Sequence, residues 1–357
     1  MFYRLTGIYH TRYEKAQALW PIPADRWQVI AIAALAVLAP LYLSPLYLGS
    51  YLLPWLIWSS AALSLTLLMG LAGQLHFGYA AVMAIGAYSA IHLARVGLPF
   101  EMVLVASGLI AAAIGSVFGG AALRVKGLYL VMATLAMQYL VDWIIVNVPA
   151  ISGGAHATLR TPEVRFLLVP IDSLASRYYL ALAWTALVAV FFLNIKRTSF
   201  GRALVAIREK DFAAAVIGVD PFRYKLLAFF TSSFMGGVSG AILAFCYYRA
   251  VTPEQFSSSV SIQLVAMVLV GGLGTVIGAF LGAGFVLLAP IVLTNAVSAL
   301  AGAGLMPLSQ NFISHLPLII YGGLIIGFLL FEPLGLAKVH DNVRKYLMVW
   351  PFRHARN

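Results

Sequence analysis

Long apolar stretches, each nearly free of charge, decide what this chain can become. Residues 275–297 hold no Asp, Glu, Lys or Arg, and residues 99–123 hold only Glu101. A helix needs about 20 such residues to cross a hydrocarbon core about 30 Å thick. Ten stretches of this kind read as spans, at roughly 27–47, 51–70, 77–95, 99–123, 127–148, 177–195, 226–248, 260–273, 275–297 and 312–332. The eighth is short and rich in glycine, which suits a broken or re-entrant segment. Of the 357 residues, 62% are hydrophobic and 10% charged, against about 25% charged in soluble domains. Such a surface would not stay dispersed in water, and disordered chains are poor in apolar residues. Aromatic content of 13% and 31 glycines also argue against a simple coiled coil. The expected fold class is therefore an all-α polytopic membrane protein.

The charges set the expected orientation. Lys and Arg favour cytoplasmic loops. With the N-terminus inside, 18 of the 23 basic residues fall on the inner side, and Arg95, Arg160, Arg165, Arg177 and Arg249 on the outer side. Both termini are then cytoplasmic, and the net charge of +11 is mostly a topology signal, so no nucleic-acid partner is expected. The segment before Trp27 is mixed and polar and does not read as a signal peptide. The expected organisation is a cytoplasmic segment over 1–26, a membrane domain over 27–333 with an inner loop at 196–225, and a basic cytoplasmic tail over 334–357. Cys246 stands alone, so no intrachain disulfide is available.

Two loops are long. The outer one runs from Pro149 to Ser176. The inner one carries seven basic residues, and its middle predicts a short helix with Ser199 as cap, Gly218 as stop and Pro221 beyond. That helix is too charged to cross a bilayer and is expected to lie along its surface. Glycines recur at four-residue spacing, as in Gly236 and Gly240, and in Gly274, Gly278 and Gly282, which places small residues on one helix face for close packing. Such contacts either pack tightly or slide during a transport cycle. The glycine-interrupted segments 70–79 and 271–284 sit one in each half, as in transporters built from two related halves.

Catalytic chemistry is not evident. Neither a phosphate-binding G-x-x-x-x-G-K-[ST] loop nor an H-E-x-x-H zinc motif occurs, so no cofactor, metal site or catalytic residue is expected. The polar residues inside apolar stretches are the candidates, because charge near a span centre costs roughly 2.5–3.5 kcal/mol on insertion scales. Thr134, Gln138 and Asp142 fall at i, i+4 and i+8, on one face of the fifth span. They form either a water-facing stripe along a solute path or a set of interhelical hydrogen bonds. Gln74 and His76, in the glycine-interrupted loop, line a path or gate or serve local structure. Gln263 belongs to a polar mouth with Ser257 to Ser261, facing a solute or capping the eighth span.

Four motifs then carry a family resemblance. LTLLMGLAGQLHFGYAAVMAIGAYSA (65–90), GRALVAIREKDFAAAVIGVDPFRYKLLAF (201–229), VLVGGLGTVIGAFLGA (268–283) and FEPLGLAKV (331–339) occur in order, with a final WPF at 350–352. The chain resembles the branched-chain amino-acid permeases of bacterial ATP-binding-cassette importers, and among them the LivM-type subunit. The resemblance covers roughly residues 27–352. It implies a bacterial inner-membrane protein that pairs with a homologous second permease, two cytoplasmic ATPase subunits, an external solute-binding protein and membrane lipid. It also implies that Arg202, Arg208, Glu209, Lys210, Asp211 and Gly218 of the inner loop couple to the ATPase. One departure is the outer loop, which keeps Gly153-Gly154 but continues Ala155-His156-Ala157. Branched-chain amino acids are the leading substrate class. Urea or short amides carried by the same transporter class, and a passive small-solute channel, are the alternatives. A secondary transporter would need buried acidic pairs, and Asp142 is the only acid well inside a span.

Overall fold

The computed structural model describes residues 23–302 apart from 126, 155–156 and 168, scattered positions between 316 and 330, and 335–349. The expected tenth span lies mostly outside these residues, as do most of the expected N-terminal segment and the last residues of the tail.

The chain is built of helices: α1 (Pro23–Tyr42), α2 (Pro45–Leu71), α3 (Tyr79–Arg95), α4 (Phe100–Ala122), α5 (Leu128–Asn147), α6 (Pro149–Ser152), α7 (Leu174–Arg197), α8 (Ser199–Glu209), α9 (Asp211–Val216), α10 (Pro221–Tyr248), α11 (Ser258–Gly271), α12 (Val276–Gly302) and α13 (Leu336–Val349). Six of them, α2, α4, α5, α7, α10 and α12, are long and apolar enough to cross a membrane, and Arg26–Tyr42 within α1 is a shorter apolar helix. The break between the first two stretches falls earlier than the sequence predicts. Ser44 is extended and Pro45 opens α2, the position where a missing N–H is harmless.

The interior is made by α2, α3 and α10. Tyr79 to Ala84, Leu63 to Leu68 and Ala241 to Ala244 are fully buried or nearly so. Helix α10 runs along α4, α3 and α2, while α7 and α12 pack against α2, and α11 against α12. Serines stitch this layer together. Ser60 Oγ and Ser239 Oγ lie 2.9 Å apart, Ser232 Oγ donates to Ser64 O at 2.6 Å, and Trp184 Nε1 donates to Ser239 Oγ at 2.9 Å. Such bonds are favoured where no water competes.

Helix α10 meets α3 at glycines. A Cβ at Gly236 would stand 2.6 Å from Tyr79 Oη, and one at Gly240 would fall on the Met83 carbonyl. Gly240→Val is expected to destabilise the chain by about 1–3 kcal/mol, the usual range for overpacking. Thermal unfolding in detergent checks this, and an unchanged midpoint would show that the two helices separate easily.

Among the described residues, four short strands lie at one end of the bundle. Leu159–Arg160 (β1) pairs antiparallel with Ala250–Val251 (β4), and Arg165–Phe166 (β2) with Val169–Pro170 (β3). His92 Nε2 reaches Ile151 O at 2.7 Å, joining α3 to α6. The charged segment 196–225 lies at the other end, where Arg208 meets the end of α2.

Candidate functional site

The charged segment is an elbow of two helices where the sequence predicts one. Thr198, not Ser199, caps α8, its side chain accepting from Gly201 N at 3.3 Å. Lys210 is extended at φ −152° and ψ 97°, which separates α8 from α9. Gly218 ends α9 as expected, at φ +89°, with its N–H on Ala215 O at 3.0 Å. Helix α8 buries Gly201, Leu204 and Ile207 against the bundle. Helix α9 does the opposite with its large side chains. Phe212, Val216 and Ile217 are 80%, 72% and 75% exposed.

Arg208 turns inward. Its Nη1 donates to Gly70 O at 2.6 Å, and its aliphatic stem lies over Gly73. Arg202 donates to Arg197 O at 2.8 Å. Glu209 and Lys210 are exposed, and Asp211 starts α9, where a negative side chain suits the helix dipole. Between the elbow, the loop 72–75 and the turn before α5 lies a cleft of about 280 Å³. Gln74 lines it beside Arg208, Lys210 and Lys225.

From this cleft the chain runs through the interior without helical structure until α3 begins at Tyr79. The N–H groups at this helix start are satisfied by side chains. Phe77 N donates to Thr134 Oγ1 at 3.1 Å and Gly78 N to His76 Nδ1 at 3.1 Å. Ala80 N donates to Ser261 Oγ at 2.8 Å and Ala81 N to Gln138 Oε1 at 2.8 Å. Gln138 is the hub. Its Oε1 also accepts from Ser261 Oγ at 2.7 Å, and its Nε2 donates to Asp142 Oδ1 at 2.9 Å and to Phe256 O at 2.8 Å. Ser261 lies in the first turn of α11. The starts of two short helices, α3 of 17 residues and α11 of 14, therefore meet beside the middle of α5. At 1.5 Å per residue they measure about 25 and 21 Å, less than a bilayer core. Irregular backbone at such depth is tolerated only inside protein or along a water-filled cavity.

The family model described as the permease component of branched-chain amino acid transport systems matches residues 47–331, most of the chain. The chain belongs to this permease family. It is 28% identical over 335 residues to the high-affinity branched-chain amino acid transport system permease protein LivM of Escherichia coli, covering 87% of this chain and 75% of that protein. It is 30% identical over 252 residues to LivM of Salmonella typhimurium, covering 64% and 59%. A more distant similarity, 28% over 194 residues, reaches the autoinducer 2 import system permease protein LsrC of Yersinia pseudotuberculosis, covering 53% and 48%. No solved structure matches. The chain is thus a multi-pass membrane permease of an ATP-binding-cassette transporter, a transport subunit and not an enzyme.

The permease brings together some of the residues singled out in the sequence and separates others. Thr134 and Gln138 are buried in the α3 cap, Asp142 is half-buried beside them, and His76 is buried between Tyr79 and Phe229. Among the described residues, His76 Nε2 has no hydrogen-bond partner. Gln74 sits in the cleft at the elbow, and Gln263 is exposed on α11. Gly278 and Gly282 let α12 lie against Gly271 of α11, and Gly274 lies against Gly70. Ala155 and His156 of the outer loop lie outside the described residues. Sequence reading passed over Phe212, Val216 and Ile217 in favour of their charged neighbours. Their spacing of four and five residues, on a short segment too polar to span, is the signal that marks them.

Proposed function

We propose that this permease forms one half of the membrane channel of a bacterial inner-membrane importer for branched-chain amino acids, driven by separate cytoplasmic ATPase subunits. The observation that carries the reading is the elbow. Phe212 and Val216 stand exposed on a six-residue helix outside the apolar spans, with Ile217 exposed just after it, while Arg208 in the same elbow grips the end of α2. An isolated helix that short is not stable in water, and three exposed apolar side chains on it and at its end call for a partner groove. Arg202, Glu209, Lys210 and Asp211 then form the charged rim around that apolar seat, and Gly218 closes it.

The solute path is proposed along α5 and α11, against the homologous second permease. The outer faces of α4 and α12 are aliphatic, with Val105, Leu109 and Val117 on one and Ile277, Leu281 and Val292 on the other. The outer face of α5 carries Tyr139 and Trp143 near Asp142 beside the apolar Met132 and Leu140, and α11 exposes Ser259 and Gln263 on either side of Ile262. Polar groups at this depth are unfavourable against lipid tails and favourable against protein or water. Gln74 and His76 lie on the segment leading from this region toward the cleft. An external binding protein would present the solute at the end opposite the elbow.

Reconstitution of the permease with its second permease, ATPases and binding protein tests the reading. ATP-dependent uptake of labelled leucine, isoleucine or valine is expected, with none of urea. Urea uptake under ATP would move the substrate class, and solute flux in vesicles lacking the ATPases would make the chain a passive channel.

A further inference from the structure

Two glycine breaks meet backbone to backbone at the elbow end of the bundle. Gly70 lies in the last turn of α2, and Gly274 lies between α11 and α12 at φ +77°. A Cβ at Gly70 would stand 2.7 Å from Gly274 Cα, and closer still to its nitrogen. The last turn of α2 is wide. Ala72 N donates to Leu67 O at 3.3 Å and Gln74 N to Leu68 O at 3.1 Å. In a regular α-helix Gln74 N would bond the Gly70 carbonyl. Here that carbonyl is left for another donor, and Arg208 Nη1 supplies it at 2.6 Å. The carbonyl on the other side of the junction is taken the same way, by Lys196 Nζ on Gly274 O at 2.9 Å.

The two cations bracket one helix. Lys196 is in the last turn of α7, immediately before the elbow, and Arg208 is in the last turn of α8. Helix α8, eleven residues long, is therefore tied at its two ends to the two sides of a single junction. From that junction one strand of chain, 72–78, leads to the start of α3, and the other side is the end of α11. Those are the two short helices whose starts share Gln138.

We propose that Lys196 and Arg208 form a two-point latch on the Gly70–Gly274 junction, through which displacement of α8 is passed to α3 and α11 together. The latch deepens the reading of the elbow as an ATPase seat and rests on it. Lys196 acts here as a positioning residue outside the docking surface. Hydrogen bonds from charged donors are stronger than neutral ones, so a rigid α8 pulls both breaks or neither.

Lys196→Met and Arg208→Met keep an unbranched apolar stem and remove the charged donor. In the reconstituted importer each is expected to retain ATPase subunits and ATP hydrolysis while solute moved per ATP falls about tenfold, the scale of one charge-assisted bond. The double variant is expected to be no worse than either single one, because both act on one junction. Arg208→Lys and Lys196→Arg, which keep a donor in place, are expected to restore part of the coupling. Parental coupling in Lys196→Met beside a loss in Arg208→Met would overturn the latch and leave Arg208 as an ATPase contact. If the parental importer shows no ATP-driven uptake, the functional reading fails instead. Thermal unfolding of the full chain in detergent then decides the latch, since additive shifts for the two Met variants would overturn it.

Discussion

Phe212→Asp is expected to strip the ATPase subunits from the transporter while leaving the permease inserted and folded. Phe212 touches little of its own chain, since it is 80% exposed, so the change removes nothing from the core. In a docking groove the same ring would bury most of its surface, worth about 1.5–3 kcal/mol. A carboxylate in its place adds the penalty of burying an unpaired charge. Together these predict binding weaker by at least about a hundredfold. Co-purification of the ATPases on a tagged permease measures the loss, and the monodispersity of the permease in detergent reports its folding. Val216→Ala, a smaller truncation on the same face, is expected to weaken binding by roughly tenfold or less. Full retention of the ATPases by Phe212→Asp would remove α9 as the seat.

Gln138→Leu is expected to have the largest effect on the membrane domain itself. A leucine leaves Ala81 N, the Ser261 hydroxyl and the Phe256 carbonyl without their partner, and frees Asp142 from its bond to the amide. Each buried polar group left unsatisfied costs about 1–3 kcal/mol, and Gln138 serves several at once. A drop in both membrane abundance and unfolding temperature is therefore expected, alongside lost uptake. From the sequence alone, where Gln138 stands on a stripe with Thr134 and Asp142, the expectation is lost uptake at normal abundance. The contacts change it, because the amide holds α3, α5 and α11 together. Ser261→Ala removes a single node of the same cluster and is expected to be milder. Normal unfolding in Gln138→Leu would mean that water or another side chain replaces the amide.

Much of the helical layout was legible in the order of residues. The stretches read as spans near 99–123, 127–148, 177–195, 226–248 and 275–297 each became a helix within a few residues, because apolar length is a local property. The boundary at Ser44-Pro45 was missed because Leu41 to Leu48 is as apolar as the helices beside it. The helical character of the segment after Thr198 was legible, yet its break at Lys210 was not. Nothing in IREKD marks an extended residue, and the buried face of α8 against the bundle decides where that helix stops. The polar stripe of α5 was visible as a pattern with two meanings, a path or a set of bonds. Thr134 bonds to the non-helical segment before α3 and Gln138 bonds across helices, and Asp142 at the edge keeps part of its surface open.

What the sequence by itself determined is the class of fold and the segment that stands outside the apolar spans. Both follow from sums over neighbouring residues, since transfer into lipid depends on the composition of each stretch. Only the tertiary structure decided which groups meet. Gln138 finds Ala81 and Ser261, 57 and 123 positions away, and Arg208 and Lys196 find Gly70 and Gly274, 138 and 78 positions away. A buried polar group without water must take a partner from the protein. Which partner it takes depends on how the helices pack, and glycines such as Gly70 and Gly240 permit that packing without encoding the pairs it creates.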